Sequence, residues 1–221
     1  MGDQAKPTEG LRADLLEALL SFDTATLYEG GGAEAVSTMM PGIRPIANGQ
    51  RIAGPALTVA CPGGDNLMLH AAVADAAPGE VLVVQCHDPS YGVWGEVLMT
   101  GAMARGVVAL VIDGGVRDLE ATREAGFPVF SRSVAIRGAG KSRRGLLRQP
   151  ISCGGILVWP SDIVVADDSG VIAIAADQVE AVLERAGARR DKEARMLESL
   201  RAGQTTADLL GLRGALARPT A

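Results

Sequence analysis

The stretch between residues 95 and 118 constrains the fold of this chain more than any other. Residues 97–105 predict a helix, and residues 107–112 form a short apolar run of mostly β-branched residues that is typical of a buried strand. Asp113-Gly114-Gly115 is expected to end that strand, and Arg117-Asp118 to open the next helix. A helix, a strand and a second helix in this order indicate a parallel βαβ arrangement, and therefore an α/β fold.

Four charged residues of this stretch are expected to meet at one edge of the sheet. Glu96 stands at the start of a predicted helix, while Asp113, Arg117 and Asp118 follow a predicted strand. In a parallel unit, helix N-termini and strand C-termini lie at the same edge. The carboxylates suit a hard divalent cation, and the arginine suits a carboxylate substrate. Asp113 also fits a plain turn aspartate, so we expect it only to support the site.

Each of these residue types also has a purely structural explanation. An Arg-Asp pair often caps a helix, and a glutamate in a first turn is favourable to the helix dipole. The loop at residues 63–66 lacks the Walker lysine and the dinucleotide glycine pattern. Asn66 is therefore either a pocket residue or an N-cap. His70 is expected to be structural, and Asp167-Asp168 to form a hairpin turn.

The composition indicates a globular protein and excludes several classes. Of the 221 residues, 48% are hydrophobic, and the net charge of −5 argues against a general nucleic-acid binder. The three cysteines form no Cys-x-x-Cys pair, which points to a reducing cytoplasm rather than to zinc or disulfides. No apolar run is long enough to span a bilayer, and the polar N-terminus lacks a secretory signal.

The rest of the chain predicts one domain over residues 1–221. Predicted helices cover residues 11–20, 21–29, 67–76 and 176–201, and predicted strands cover residues 51–60, 80–85, 129–131, 134–136, 151–153, 156–158, 163–167 and 171–174. Residues 87–94 and 137–148 are expected to be loops, and the tail from Gln204 to be weakly ordered.

Gly95-Glu96, a helix, a strand and then residues 114–118 (Gly-Gly-Val-Arg-Asp) together resemble the RraA-like proteins, named for a regulator of ribonuclease activity. The stretches at residues 61–67, 127–130 and 160–171 extend the likeness, which covers about residues 10 to 205. Within the family the chain is most similar to the class II pyruvate aldolases that cleave 4-hydroxy-4-methyl-2-oxoglutarate and 4-carboxy-4-hydroxy-2-oxoadipate. The resemblance implies an α-β-β-α sandwich around a barrel-like central sheet.

The resemblance also implies roles for individual residues. Arg117 would bind the pyruvyl carboxylate, Asp118 would bind Mg²⁺ or Mn²⁺, and Glu96 would orient or activate a water. The implied substrate-binding positions are Gly95, Glu96, Val97, Leu98, Arg117 and Asn66. The expected reaction releases pyruvate and a second oxo acid, with oxaloacetate decarboxylation as a side activity.

A ribonuclease inhibitor and a methyltransferase are the two other functions to consider for this chain. Some RraA-like members are regulatory proteins that inhibit a ribonuclease, which is the alternative function for this chain. A methyltransferase is rejected, because no glycine-rich S-adenosylmethionine loop is visible. No Schiff-base lysine is implied either, since none of Lys6, Lys141 and Lys192 lies on a predicted core strand.

Glu193 is an acid in line with an apolar stripe. It falls on the same face of the C-terminal helix as Val182, Ala186 and Leu197. Such an acid needs a cation, a metal or another subunit as its partner. The resemblance implies that a glutamate from the adjacent subunit's C-terminal helix completes the metal site, and Glu193 fits that position. The helix over about residues 176–202 would then pack on its neighbour in a homotrimer or homohexamer.

Overall fold

The computed structural model describes residues 13–217 and shows a mixed α/β fold with a large central sheet. The helices are α1 Ala13–Leu20, α2 Thr24–Gly31, α3 Leu67–Asp75, α4 Glu96–Ala104, α5 Leu119–Glu124, α6 Val179–Arg201, α7 Thr206–Leu209 and α8 Arg213–Leu216. The strands are β1 Val36–Thr38, β2 Arg44–Pro45, β3 Ile52–Ala60, β4 Val81–Gln85, β5 Tyr91–Trp94, β6 Ala109–Val116, β7 Val129–Val134, β8 Arg137–Gly138, β9 Leu146–Leu147, β10 Ile151–Cys153, β11 Ile156–Val158, β12 Ile163–Asp167 and β13 Gly170–Ile174.

The central sheet has a parallel half and an antiparallel half that meet at β3. Strands β3, β4 and β6 are parallel neighbours, and β6 also pairs in parallel with β5 and β7. On its other side β3 pairs antiparallel with β12, which continues through β13 to β1. The hairpin of β10 and β11 forms a separate two-stranded sheet. The parallel half places the C-terminal ends of β4 and β6 at one edge, where α4 begins.

Three buried clusters show that the molecule is built in four layers. One cluster packs α3 and α4 against one face of the parallel half, through residues such as Leu69, Leu98 and Ile112. A second fills the space between the two halves of the sheet, with Val83 of β4 facing the same cluster as Val164 of β12. The third cluster packs α1, α2 and α6 on the outer face of β12 and β13. This order of layers confirms the predicted α-β-β-α sandwich.

Strand β6 extends further than the sequence analysis predicted. Asp113, Gly114 and Gly115 lie inside it and do not end it. A Cβ on Gly114 would lie 2.9 Å from the Cys86 carbonyl oxygen, and a Cβ on Gly115 would lie 2.9 Å from that of Pro89. The two glycines therefore allow close approach of the neighbouring backbone, and their role is not to form a turn.

Two segments that were predicted to be a loop or weakly ordered contain regular secondary structure. Residues 91–94 form strand β5 beside β6, and within it Val93 and Trp94 are buried. The tail predicted to be weakly ordered contains helices α7 and α8. Thr205 caps α7 by accepting a hydrogen bond from the Asp208 N–H, and Asp208 also pairs with Arg213 of α8. These short-range contacts stabilise two single-turn helices, which carry no hydrophobic periodicity that the sequence could reveal.

Other boundaries agree with the predictions. Asp23 caps α2 by accepting a hydrogen bond from the Thr26 N–H, and α2 ends within the glycine run at residues 30–32. Asp167 and Asp168 lie at the β12–β13 hairpin, where Asp167 accepts hydrogen bonds from Thr24 and Asp168 accepts one from Gly49 N. The pair is therefore structural. The helix predicted over residues 11–20 is described only from Ala13, and its first two residues lie outside the described part.

Candidate active site

Glu96, Arg117 and Asp118 converge at the carboxyl edge of the parallel strands. The Glu96 backbone N–H donates to Asp118 Oδ2 over 3.0 Å, although the two residues are 22 positions apart. Arg117 Nε lies 3.6 Å from the same Oδ2, with the two side chains 43% and 41% exposed. Asp118 has a left-handed backbone, with φ 57° and ψ 46°, just before α5. With this backbone conformation, the Asp118 carboxylate lies close to the side chain of the preceding Arg117.

Glycines make room for the arginine–aspartate pair. A Cβ on Gly95 would collide with Asp118 Oδ2 and lie 3.1 Å from Arg117 Nε. A Cβ on Gly92 would lie 3.0 Å from Arg117 Cβ, and one on Gly138 would lie 3.7 Å from Arg117 Nη1. The backbone of β5 and of the start of α4 therefore packs closely against the Arg117 side chain, and Gly138 of β8 is in van der Waals contact with its guanidinium. The arginine remains 43% exposed at the rim of the sheet.

A cavity of about 140 Å³ opens beside Arg117. Its lining residues are Asn66, His70, Val93, Gly95, Val97, Leu98, Arg117 and Lys141. The set includes five of the six positions that the family resemblance implied for substrate binding. The exception is Glu96, whose side chain is exposed at the rim and does not line the cavity. Leu98 is buried, whereas Val97 is 81% exposed and lies at the opening of the cavity.

Asn66 lines the cavity and does not cap α3. Its side chain makes no capping hydrogen bond, and its Nδ2 donates to the Val93 carbonyl over 2.8 Å. The Leu67 N–H at the start of α3 is bound by Asp65 Oδ1 over 3.0 Å. Asn66 Oδ1 is buried and has no hydrogen-bond partner among the described residues. Of the two explanations that the sequence left open, the pocket role is the one that this geometry favours.

His70 and Lys141 line the cavity, although their sequence context did not predict it. His70, expected to be structural, lines the cavity with a buried Nε2 that has no hydrogen-bond partner in the described chain. Burial, and then the positive charge of Lys141, lower the pKa of His70, so the imidazole is neutral at pH 7. Lys141 reaches the cavity from the loop after β8. The one available signal was the helical spacing that puts His70 one turn after Asn66.

Asp113 does not belong to this cavity. It lies on the opposite face of β6, where its carboxylate pairs with Arg132 and accepts a hydrogen bond from Gly154 N over 3.0 Å. Burial alone would raise the pKa of Asp113, but the hydrogen bonds from Arg132 and Gly154 outweigh it and lower the pKa. The supporting role expected for Asp113 is therefore structural. The residue neutralises Arg132 between the two halves of the sheet.

The acids at the rim suit a hard divalent cation but are few within one chain. Asp118 uses Oδ2 to bind the Glu96 N–H, and its Oδ1 has no hydrogen-bond partner in the described chain. Among residues 13–217 no group of three histidine, cysteine or acidic side chains could hold a metal ion. Mg²⁺ is commonly held by one or two carboxylates together with water and substrate. Asp118 fits that pattern, and Glu96 lies beside it at the same edge of the sheet.

Glu193 lies on the part of α6 that is exposed in the isolated chain. Val182 and Ala186 on the same face are buried against α1 and α2, whereas Glu193 is exposed. The structure does not bring Glu193 into one acidic group with Glu96 and Asp118 in the described chain. A contribution of Glu193 to the site of another subunit stays a prediction.

The fold and this site define an α/β protein with an arginine–aspartate pair at the carboxyl edge of a parallel sheet. The RraA-like profile of the Aldolase/RraA family matches residues 14–173. A protein of Halalkalibacterium halodurans named "putative 4-hydroxy-4-methyl-2-oxoglutarate aldolase" is 34% identical over 164 residues, which are 73% of this chain and 78% of that protein. The chain therefore belongs to the Aldolase/RraA family.

Solved structures agree with this assignment. An uncharacterized protein from Pseudomonas syringae pv. tomato superposes with a TM-score of 0.79 at 26% identity, covering 92% of this chain and 96% of that one. RraAS2 of Streptomyces coelicolor, described as an unusual member of the RNase ES inhibitor RraA protein family, gives 0.73 at 26% identity, covering 86% and 98%. In the part of the chain that the structure describes, no helix is long and apolar enough to cross a membrane.

Proposed function

We propose that this chain is a divalent-metal-dependent pyruvate aldolase. Its substrates would be 4-hydroxy-2-oxo acids of the 4-hydroxy-4-methyl-2-oxoglutarate or 4-carboxy-4-hydroxy-2-oxoadipate type, cleaved to pyruvate and a second oxo acid. The observation that carries this proposal is the pairing of Arg117 with Asp118 beside the cavity, with the backbone of Gly92 and Gly95 packed closely against the arginine. The name of the Halalkalibacterium halodurans relative supports the same chemistry.

Arg117 binds the carboxylate of the pyruvyl half. A guanidinium presents parallel N–H donors that match a carboxylate in a bidentate contact. The close glycine backbones restrict the Arg117 side chain, so little freedom is lost when the substrate binds. The backbone N–H groups at the start of α4, beyond Gly95, add donors and a helix dipole that favour the same negative charge.

Asp118 would hold Mg²⁺ or Mn²⁺, with Glu193 of an adjacent subunit as a second acid, and Glu96 would orient or activate a water. When bound, the metal supplies positive charge that stabilises the pyruvate enolate. A water held by Glu96 takes the proton of the C4 hydroxyl as the bond between C3 and C4 breaks. C4 leaves as the carbonyl carbon of the second oxo acid, and the bonding electrons stay on C3 as the enolate. The same water then returns a proton to C3, which gives pyruvate.

Oxaloacetate provides a first test, because its loss of CO₂ forms the same enolate. We expect the purified protein to release CO₂ from oxaloacetate and pyruvate from 4-hydroxy-4-methyl-2-oxoglutarate. Both activities should disappear in EDTA and return with excess Mg²⁺ or Mn²⁺. Undiminished turnover in EDTA would overturn metal dependence, and no pyruvate from any of the 4-hydroxy-2-oxo acids would overturn the aldolase.

The alternative is a regulatory protein that inhibits a ribonuclease. It is favoured by the structural likeness to Streptomyces coelicolor RraAS2. Ribonuclease assays with and without the chain, run beside the lyase assays, separate the two. Inhibition without any lyase activity would support the regulator, and lyase activity without inhibition would support the aldolase.

We further propose that the enzyme assembles as a homotrimer or a homohexamer. The exposed stretch of α6 carries Leu197 at 43% exposure beside Glu193, so a neighbour would cover an apolar side chain and give the acid a partner. Contacts of this head-to-tail kind close into rings. Glu193 would then join Asp118 of the adjacent subunit at the metal.

A further inference from the structure

A second and larger cavity lies beside the antiparallel half of the sheet. Its volume is about 500 Å³, and small-molecule sites commonly measure ~300–1,000 Å³. It is bounded by the start of α2, the turn between β1 and β2, the tip of the β10–β11 hairpin and the β12–β13 hairpin. In the described chain it shares no lining residue with the cavity beside Arg117. We call it the Arg44 cavity, after the arginine in its wall.

Backbone hydrogen bonds connect three walls of the Arg44 cavity to one another. The Met39 N–H donates to the Val171 carbonyl over 2.9 Å, and the Met40 N–H donates to the Gly154 carbonyl over 2.7 Å. Gly154 has a φ of +60°, and a Cβ there would lie 2.7 Å from the Cβ of Met39. Glycine therefore lets the tip of the β10–β11 hairpin pack directly against Met39. Because the fold itself fixes these walls, little backbone order has to be gained when a ligand binds.

The start of α2 forms the fourth wall, and two of its backbone donors are already bound. Thr24 donates its N–H and its hydroxyl to the carboxylate of Asp167, each over 2.8 Å. The Thr26 N–H donates to Asp23 Oδ1 over 2.7 Å. These bonds hold α2 against the β12–β13 hairpin. They also occupy donors that a phosphate at a helix start would need, so the charge of a ligand has to be bound by a side chain.

Arg44 is the one cationic side chain among the described residues that line this cavity. It is exposed, and its Nη1 donates to the Ser169 carbonyl over 2.8 Å, which holds the guanidinium at the β12–β13 turn. Its other N–H groups have no hydrogen-bond acceptor within residues 13–217. One guanidinium matches one carboxylate in charge and in geometry. A phosphate carries close to two charges at pH 7 and would need more donors than this wall supplies.

Much of the remaining wall is apolar and adaptable. It includes the side chains of Met39, Met40, Pro41, Val171 and Ile172. Methionine side chains are flexible and polarisable, and they pack well against aromatic rings. An apolar wall with a single charged group is the usual composition of a site for a small organic ligand.

We propose that the Arg44 cavity is a binding site for a small monocarboxylic acid with an aromatic carbon skeleton. The carboxylate binds the guanidinium of Arg44 at the β12–β13 turn, and the ring packs on the methionine side chains. This ligand differs from the oxo acids of the candidate active site, because it carries one charge and an apolar body. The assignment does not depend on the proposed aldolase function.

The test compares two fluorescent probes of the same shape, 2-naphthoate and its neutral analogue 2-naphthamide. Fluorescence titration of the full-length protein measures the Kd of each. The wild type should bind naphthoate saturably and more tightly than the amide. Arg44→Met should raise the Kd of naphthoate about 10- to 100-fold, the value of one charge-assisted hydrogen bond, and leave that of the amide unchanged. Arg123→Met is the matched control, since the exposed Arg123 also donates to a backbone carbonyl and lies outside the cavity.

Two further variants locate the bound probe. Ala25→Trp adds an indole at an exposed position of α2 that lines the cavity, and it should abolish binding of both probes. Its control is Ala188→Trp, an exposed position of α6 outside the cavity. Arg117→Met should leave the Kd of naphthoate unchanged, because Arg117 belongs to the other cavity. Thermal melts and size-exclusion chromatography of each variant measure its folding and its oligomeric state.

Several results would overturn the assignment. It is wrong if the wild type shows no saturable binding of naphthoate, or binds the amide equally well. It is also wrong if Arg117→Met loses binding while folded Arg44→Met retains it, because the probe then occupies the candidate active site. If the wild type binds neither probe and Ala25→Trp alters the oligomeric state, the cavity is an interface between copies of the chain. None of these results bears on the aldolase proposal, which pyruvate release tests separately.

Discussion

Asp118 Oδ2 accepts a hydrogen bond from the backbone N–H of Glu96 over 3.0 Å, and this bond joins the end of one βα connection to the start of another. The carboxylate thus caps helix α4, which follows another strand, and does not cap its own helix α5. It also lies 3.6 Å from Arg117 Nε. Asp118 therefore contacts both the start of α4 and the guanidinium of Arg117. Substitutions of the residues around this hydrogen bond should lower activity more than stability.

Gly95→Ala should reduce lyase activity at least 10-fold. A Cβ at this position collides with Asp118 Oδ2 and crowds Arg117, so the pair must move although the backbone tolerates alanine at φ −160°. Gly187→Ala on α6 is the control, because a Cβ there meets nothing within 4 Å. Steady-state kinetics and thermal melts measure both variants. An active Gly95→Ala protein would show that the close packing around Arg117 is not required.

Arg117→Lys should lower kcat/KM on oxaloacetate about 10- to 100-fold, because a lysine cannot form the bidentate contact. The melting temperature should stay close to that of the wild type, since the Arg117 side chain is 43% exposed. Unchanged kinetics for Arg117→Lys would show that another residue holds the pyruvyl carboxylate.

Asp113→Asn should destabilise the fold by about 2–3 kcal/mol at pH 7, because it leaves Arg132 without its charged partner. The folded-state pKa of Asp113 is depressed, so its stabilisation is present above the ordinary aspartate pKa of about 3.9 and is lost as the pH falls through the lower, folded-state value. Urea unfolding at several pH values measures this difference. The control Asp191→Asn, at an exposed position of α6, should leave stability unchanged. Equal stability of the Asp113→Asn and wild-type proteins at pH 7 would contradict the structural role.

Much of this architecture was predictable because it depends on local patterns. Residues 163–167 and 170–174 alternate between two buried clusters, and Asp168-Ser169 separates them with turn residues. The limits of β6 were not predictable, since Asp113 and two glycines are typical of a turn. Arg132, 19 positions later, and the Gly154 N–H, 41 positions later, make Asp113 tolerable inside a strand.

The candidate site was also predictable only in part. Glu96, Arg117 and Asp118 were identified because strand and helix ends in a parallel unit converge, and the structure joins them by a hydrogen bond and an ion pair. Lys141 was not predicted because it comes from a loop whose path depends on Asp65. The Asp65 carboxylate binds the Ser142 N–H in that loop, and the two residues are 77 positions apart in sequence. No local pattern records such a contact. The position of Glu193 relative to another subunit depends on assembly, which a single chain does not contain.

Subunit mixing tests whether the active site is shared. Inactive Asp118→Asn subunits and inactive Glu193→Ala subunits are expected to regain part of the activity when mixed, because some mixed interfaces carry both native residues. Asparagine is chosen because it tolerates the left-handed backbone of Asp118. Glu184→Ala, an exposed acid on the same helix, is the matched control and should be active alone. Confirmed subunit exchange without any return of activity, or a fully active monomer, would contradict a shared site.

The most direct test of the central claim is the release of pyruvate from 4-hydroxy-4-methyl-2-oxoglutarate by the wild-type protein and by Asp118→Asn, each with Mg²⁺ and with excess EDTA. If Asp118 holds the metal, only the wild type with Mg²⁺ turns over the substrate, and the Asp118→Asn protein is folded but inactive under both conditions. Turnover by wild type in EDTA, or by Asp118→Asn at the wild-type rate, would contradict it.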